Sequence, residues 1–210
     1  MMRLRIVFAK TEAMRFTSHL DLHRTWERTM RRAGLPLAYS RGFKPHPRIV
    51  LASALPLGFT SQAEAVDIWL DENIPLEAVE TSLQRAIPPG IHIESLSEAQ
   101  PNEPALPTQV VAQEYSITFP GPVPDLDQKA QEILQSTSLM RSWRDKNYDL
   151  RPLILSIERI ADGANDCPRL LATLVAREGA TGRPEELVRA LGENPEQVHF
   201  HRTRLLYQPE

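Results

Sequence analysis

One cysteine, Cys167, is all that the 210 residues contain. A lone thiol excludes an internal disulfide, and it excludes an all-cysteine zinc site or an iron–sulfur cluster built from this chain alone. Long apolar runs are missing too, since none approaches the roughly 20 residues that span a bilayer. No membrane is expected among the partners. The opening stretch, MMRLRIVFAK, meets a lysine before an apolar signal core forms, so export is not expected and the cytoplasm is the expected compartment. What remains is ordinary: 41% hydrophobic and 24% charged residues with a net charge of −3, the composition of a globular chain. This length suits one or two domains, and two is the working number.

The small net charge hides an asymmetry. Residues 1–48 hold eleven Lys and Arg (Arg3, Arg5, Lys10, Arg15, Arg24, Arg28, Arg31, Arg32, Arg41, Lys44 and Arg48) against three acids (Glu12, Asp21 and Glu27), a net +8. The thirteen bases and twenty-four acids that follow give −11. A basic first quarter on an acidic protein is the pattern expected when one face meets a polyanion and the rest keeps the molecule dissolved.

Residues 3–9, RLRIVFA, alternate and then run apolar, as a strand with one buried face does. Ser18 followed by Asp21 forms a capping-box pattern, and Leu22, Trp26, Met30 and Ala33 recur at helical spacing until Gly34 and Pro36 stop it. LPLAYS (35–40), PRIVLASAL (47–55) and AEAVDIWLD (63–71) read as extended segments. PLEAVETSLQRAI (75–87) reads as an amphipathic helix, and IHIESLSEA (91–99) as another strand. Residues 100–109, QPNEPALPTQ, hold three prolines and little periodicity, the mark of a connector. The same grammar then returns: strand 114–120, helix 125–136 capped by Asp125, strands 153–162 and 169–178, helix 184–194 and strand 198–208. The expectation is α+β, two tandem ferredoxin-like (βαββαβ) units over residues 1–100 and 113–210, joined by a linker at 101–112.

Two stretches of the basic quarter carry chemistry. Arg24, Arg28 and Arg31 stand at i, i+4 and i+7 beside the apolar face of the first helix, with Arg32 widening the stripe. Guanidinium groups fit phosphate bidentately and keep their charge. Read alone, the stripe is equally a solvated helix face with Asp21 paired to Arg24 or Arg28. The second stretch, YSRGFKPHPR (39–48), surrounds a glycine and two prolines with three cations and a histidine. Gly42 allows close approach, Pro45 and Pro47 stiffen the chain, and Arg41, Lys44 and Arg48 are presented with little entropy left to lose. Tyr39 and Phe43 add flat faces for base stacking. A plain structural turn is the competing reading.

His46 with Tyr39 and Lys44 offers an acid, a base and a charge stabiliser for RNA strand cleavage, and His19 is a weaker catalytic candidate. His19 and His23 have helical i, i+4 spacing with Glu27 one turn on. No further ligand is marked, so no metal is expected. HFHRTR (199–204) extends a basic surface or makes a polar edge strand.

Residues 16–70, FTSHLDLHRTWERTMRRAGLPLAYSRGFKPHPRIVLASALPLGFTSQAEAVDIWL, closely resemble the radical SAM-linked proteins, the DUF2344 family. The matching elements are SHLDL at 18–22, the pair Arg31 and Arg32, the loop YSRGFKPHPRI, ALPLG at 54–58, and Ser61 with Glu64 and Asp67. Lys44 departs from the family's polar residue there. The resemblance covers about the first 100 residues, and the second half matches in length and general pattern. It implies a domain fused to, or encoded beside, a radical S-adenosylmethionine protein, often near genes for ribosomal proteins and an RNA-processing nuclease. This chain has no CxxxCxxC motif. The iron–sulfur cluster and S-adenosylmethionine would therefore belong to a partner, with no cofactor in this chain. The +8 charge of the first quarter, the arginine stripe, the stiff basic loop and this family context together point to an accessory module for tRNA or rRNA, with phosphates on Arg24, Arg28, Arg31, Arg32, Arg41, Lys44 and Arg48 and a base near Tyr39, Phe43 and His46. The alternatives are a metal-independent endoribonuclease or RNA-modifying enzyme with a loop histidine, and a subunit that docks the radical SAM protein through residues 58–67 or the acidic second half.

Overall fold

A computed structural model describes residues 1–100, 102–143 and 146–208. Of the expected segments, Pro101 of the linker and residues 144–145 and 209–210 of the second domain lie outside the described residues. The architecture is α+β, and the chain divides into two compact units, 1–109 and 110–210.

The first unit runs β1 (Met2–Lys10), α1 (His19–Arg32), β2 (Ile49–Leu51), β3 (Thr60–Leu70), α2 (Leu76–Gln84), β4 (Ile91–Glu98) and α3 (Leu106–Gln109). Its strands are ordered β2-β3-β1-β4, every neighbouring pair antiparallel. Period-two alternation sends Met2, Leu4, Ile6 and Phe8 into the core, where Leu22, Trp26 and Met30 of α1 and Val79 and Leu83 of α2 meet them. Phe8 and Trp26 pack edge to face at 4.9 Å. Burying each such side chain contributes about 1.5–3 kcal/mol.

Helix α1 starts and stops where its sequence says. Ser18 Oγ accepts the N–H of Asp21 and donates to Asp21 Oδ2 at 2.7 Å. At the far end Gly34, at φ +70°, takes the left-handed turn, and the Leu35 N–H closes back on Met30 O at 3.1 Å. That closure turns Leu35 into the core.

The other face of β1 and β3 is where the charge goes. Asp67 is fully buried and accepts from both Arg3 (Nη2 at 2.6 Å) and Arg5 (Nε at 2.9 Å). Arg5 also pairs with Glu103 at 2.8 Å. The carboxylates beside it raise the Arg5 pKa, with the Asp67 hydrogen bond as the largest cause.

The same two arginines reach into the stretch expected as a linker, 101–112. Arg3 donates to the carbonyls of Glu103 and Pro104, both at 2.9 Å, and Leu106 is buried. α3 and the start of the next strand occupy 106–112. Proline content gave the stretch its linker-like look, but two cations on β1 need those carbonyls and that carboxylate, and they tie it down.

The second unit runs β5 (Val110–Thr118), α4 (Leu126–Gln135), β6 (Met140–Trp143), β7 (Lys146–Asp149), β8 (Ile154–Ile160), β9 (Arg169–Arg177), β10 (Ala180–Thr181), α5 (Pro184–Ala190) and β11 (His199–Tyr207). The order is β11-β5-β9-β8, again antiparallel throughout, with β10 against the end of β9. β6 and β7 form a hairpin that apolar alternation does not announce. Asp125 does not cap α4 with its side chain. It sits at φ +56°, and its carbonyl receives the Lys129 N–H instead. Arg202, for which the sequence offers either an extended basic surface or a polar edge strand, is fully buried and donates to Gln113 Oε1 and the Tyr115 hydroxyl. On β11 it shares the inward face of Phe200.

Candidate nucleic-acid interface

The eleven cations of residues 1–48 have different fates. Arg3 and Arg5 are spent on Asp67. Lys10 is buried with Nζ at 3.1 Å from Arg15 O and 3.0 Å from Phe59 O, and Arg15 donates to Gly58 O at 2.7 Å. On α1, Arg24 pairs with Asp21 at 3.1 Å. Among the described residues Arg28, Arg32, Arg41 and Lys44 make no ion pair, and all four are exposed. The basic quarter therefore resolves into a small cationic surface on α1 and the loop after it. Arg31 and Arg32 also lie in the last turn of α1, where the helix dipole favours cations.

Arg31 joins the two parts. It pairs with Glu27 at 2.8 Å and donates to the Tyr39 hydroxyl from Nε at 3.2 Å and from Nη2 at 2.9 Å. The tyrosine hydrogen bond is the chief cause of a raised Arg31 pKa. The loop closes on itself through a Tyr39–Pro47 bridge: the Ser40 N–H donates to His46 O at 2.8 Å, and the His46 N–H returns to Ser40 Oγ at 3.0 Å. Inside that closure Gly42 adopts φ +145° with open space where a side chain would stand. Phe43 is wholly exposed at the tip, and Arg41, Lys44 and His46 are exposed with it.

Arg48 stands elsewhere. Its guanidinium lies 4.7 Å from the ring centre of Trp69, and that of Arg3 lies 5.3 Å from the same ring. Such stacking holds cations without acids. The sequence marks Trp69 only as part of a strand. The available signal was alternation along β3, which puts it on the opposite face from Ile68 and Leu70, in register with Arg3.

The catalytic candidates are not assembled. Among the described residues no hydrogen bond or ion pair joins the side chains of His46, Tyr39 and Lys44, and the Tyr39 hydroxyl is occupied by Arg31. His23 Nε2 lies 3.2 Å from Ile49 O, which turns it toward β2, while Glu27 is taken by Arg31. Among the described residues no three His, Cys, Asp or Glu gather as metal ligands, and no helix is long and apolar enough to cross a membrane. His19 lies half-buried in the first turn of α1.

Comparison with solved structures gives distant likenesses. An H/ACA RNP bound to a substrate RNA containing 2'-deoxyuridine matches at 12% identity over 88% of this chain and 43% of that chain, with a TM-score of 0.42. A Cbf5-Nop10-Gar1 complex matches at 11% over 96% and 48%, with a TM-score of 0.48. The acetolactate synthase small subunit from Thermotoga maritima matches at 12% over 100% and 98%, with a TM-score of 0.29. The chain spans less than half the length of the first two. At these scores none of the three bears on function. No curated protein matches the chain. A family model described as an uncharacterized protein conserved in bacteria matches residues 3–184, and the chain accordingly belongs to the DUF2344 family.

Proposed function

We propose that the protein binds tRNA or rRNA through α1 and the 39–48 loop, as an accessory module to a cytoplasmic radical SAM RNA-modification enzyme. The observation that carries the RNA reading is the set of exposed cations with no ion pair among the described residues, Arg28, Arg32, Arg41 and Lys44, gathered on two elements that Arg31 and Tyr39 tie together. Cations with no carboxylate to lose have no internal pairing to break when a phosphate arrives, and the exposed Phe43 supplies a ring for an unpaired base. The partner rests on the resemblance of residues 16–70. It would carry the iron–sulfur cluster and S-adenosylmethionine, and Cys167 alone would not. Each unit reads as ferredoxin-like, supported by the matching strand orders β4-β1-β3-β2 and β11-β5-β9-β8.

The test is fluorescence anisotropy of the purified chain against total tRNA and an rRNA fragment at two salt concentrations. An Arg28→Glu/Arg32→Glu variant with an unchanged melting curve serves as control. Salt-sensitive binding lost in the variant is expected. Equal affinity for variant and wild type would refute the assignment.

A further inference from the structure

We propose that the open edge of β4, with the groove between it and α2, takes a lysine- or arginine-rich extended segment of a partner protein as an added strand. In the first unit β4 has β1 as a neighbour on one side and, among the described residues, ends the sheet on the other. The Ala99 N–H donates to Arg3 O at 2.8 Å, and the Thr11 N–H to Gly90 O at 2.9 Å. These bonds fix which residues direct their backbone groups to β1. Counting inward by alternation from both ends, and allowing for the register shift between Val7 and Phe8, leaves Ile93, Leu96 and Glu98 with N–H and C=O groups facing outward. An edge of this kind is a template for strand addition.

Beside it lies a groove of about 400 Å³. Ile87, Ile93 and Leu96 give it an apolar floor, and Glu77, Glu80 and Glu94 line it with carboxylates. Among the described residues no lysine or arginine does. Glu77 and Glu80 are exposed because Val79 and Leu83 take the buried face of α2. An incoming strand that alternates bulky and cationic residues would seat one set on the floor and the other among the carboxylates. The same carboxylates disfavour a second copy of this chain, since pairing two such edges would bring Glu94 and Glu98 against like charges. Charge thus selects the occupant. This surface does not draw on the cations of α1 and the loop, and it stands whether or not RNA binds there.

The experiment titrates the full chain with a labelled octapeptide of alternating lysine and valine, and with its glutamate–valine counterpart. Amide shifts are followed by NMR. The lysine peptide is expected to bind in a salt-sensitive manner and to move the amides of Ile93, Leu96 and Glu98. Glu77→Lys/Glu80→Lys should weaken binding about tenfold by exchanging attraction for repulsion. Glu98→Pro should weaken it by removing an outward donor that the fold does not use, and both variants should keep the wild-type melting temperature. Equal binding of the acidic peptide, shifts that map elsewhere, no binding, or a concentration-dependent dimer abolished by Glu98→Pro would each overturn the proposal.

Discussion

Arg31 reaches the Tyr39 hydroxyl with two guanidinium nitrogens, at 3.2 Å and 2.9 Å, and so ties the last turn of α1 to the foot of the basic loop. Tyr39→Phe keeps the ring and removes the tie. Amides across 40–47 should then exchange faster with deuterated solvent while those of α1 stay protected, and RNA affinity should fall by less than in Arg28→Glu/Arg32→Glu. Unchanged loop exchange would show that the Ser40–His46 closure alone orders the segment.

Salt dependence measures how many cations the RNA neutralises. Four contacts on a single strand give a slope of log K against log salt of about −3, and losing two should cut it by about half. Titrations of wild type and Arg28→Glu/Arg32→Glu between low and moderate salt give both slopes. A slope near zero would place the contacts elsewhere.

Asp67 holds Arg3 and Arg5 with no exposure of its own. Removing one partner from a buried ion pair leaves uncompensated charge, so Asp67→Ala should cost about 3–5 kcal/mol in urea unfolding. A loss below about 1 kcal/mol would mean that the arginines find water instead.

How much of this was legible from residues alone depends on how far apart the interacting partners lie. α1 could be read from Ser18, Leu22, Trp26, Met30 and Gly34 because cap, stripe and stop are local. The destination of Arg3 and Arg5 could not, since charge counting treats every cation as solvent-facing and Asp67 stands on another strand. Residues 100–109 looked like a linker for the same reason: what anchors them is at residue 3. In the candidate site the loop's stiffness is written in Gly42, Pro45 and Pro47. The Arg31–Tyr39 tie is not, because it crosses the turn at Gly34. The pairing of 140–143 with 146–149 is not legible because those residues are mostly polar and show no alternation.

Acid should probe the cap of α1. The Ser18 hydroxyl, and after it Arg24, hold the Asp21 carboxyl below the ordinary aspartate range. A pKa depressed by folding adds stability that is present above the ordinary value of about 3.9 and is lost as pH falls through the folded value. Ser18→Ala should move the NMR titration of Asp21 upward toward that ordinary value. No movement would leave Arg24 as the cause.

Glu185 has the opposite sign. Burial, the leading cause, raises its pKa above the ordinary glutamate value. Its contribution to stability is therefore greatest below that ordinary value and is lost as pH climbs through the raised folded one. Glu185→Gln should flatten this part of the pH–stability curve and raise the melting temperature at neutral pH. A variant that melts lower there would contradict the burial account.

The bond from Arg3 to the carbonyl of Glu103 closes a span of 100 residues, and it bears on the order in which a ribosome makes this protein. The first strand leaves the exit tunnel with its cations and its hydrogen-bonding edges unmet. Its sheet neighbours arrive with residues 60–70 and 91–98, and its last ligands with 103–104. Contacts of such long sequence separation are the kind that form slowly, so the sheet of the first unit is expected to close late in synthesis.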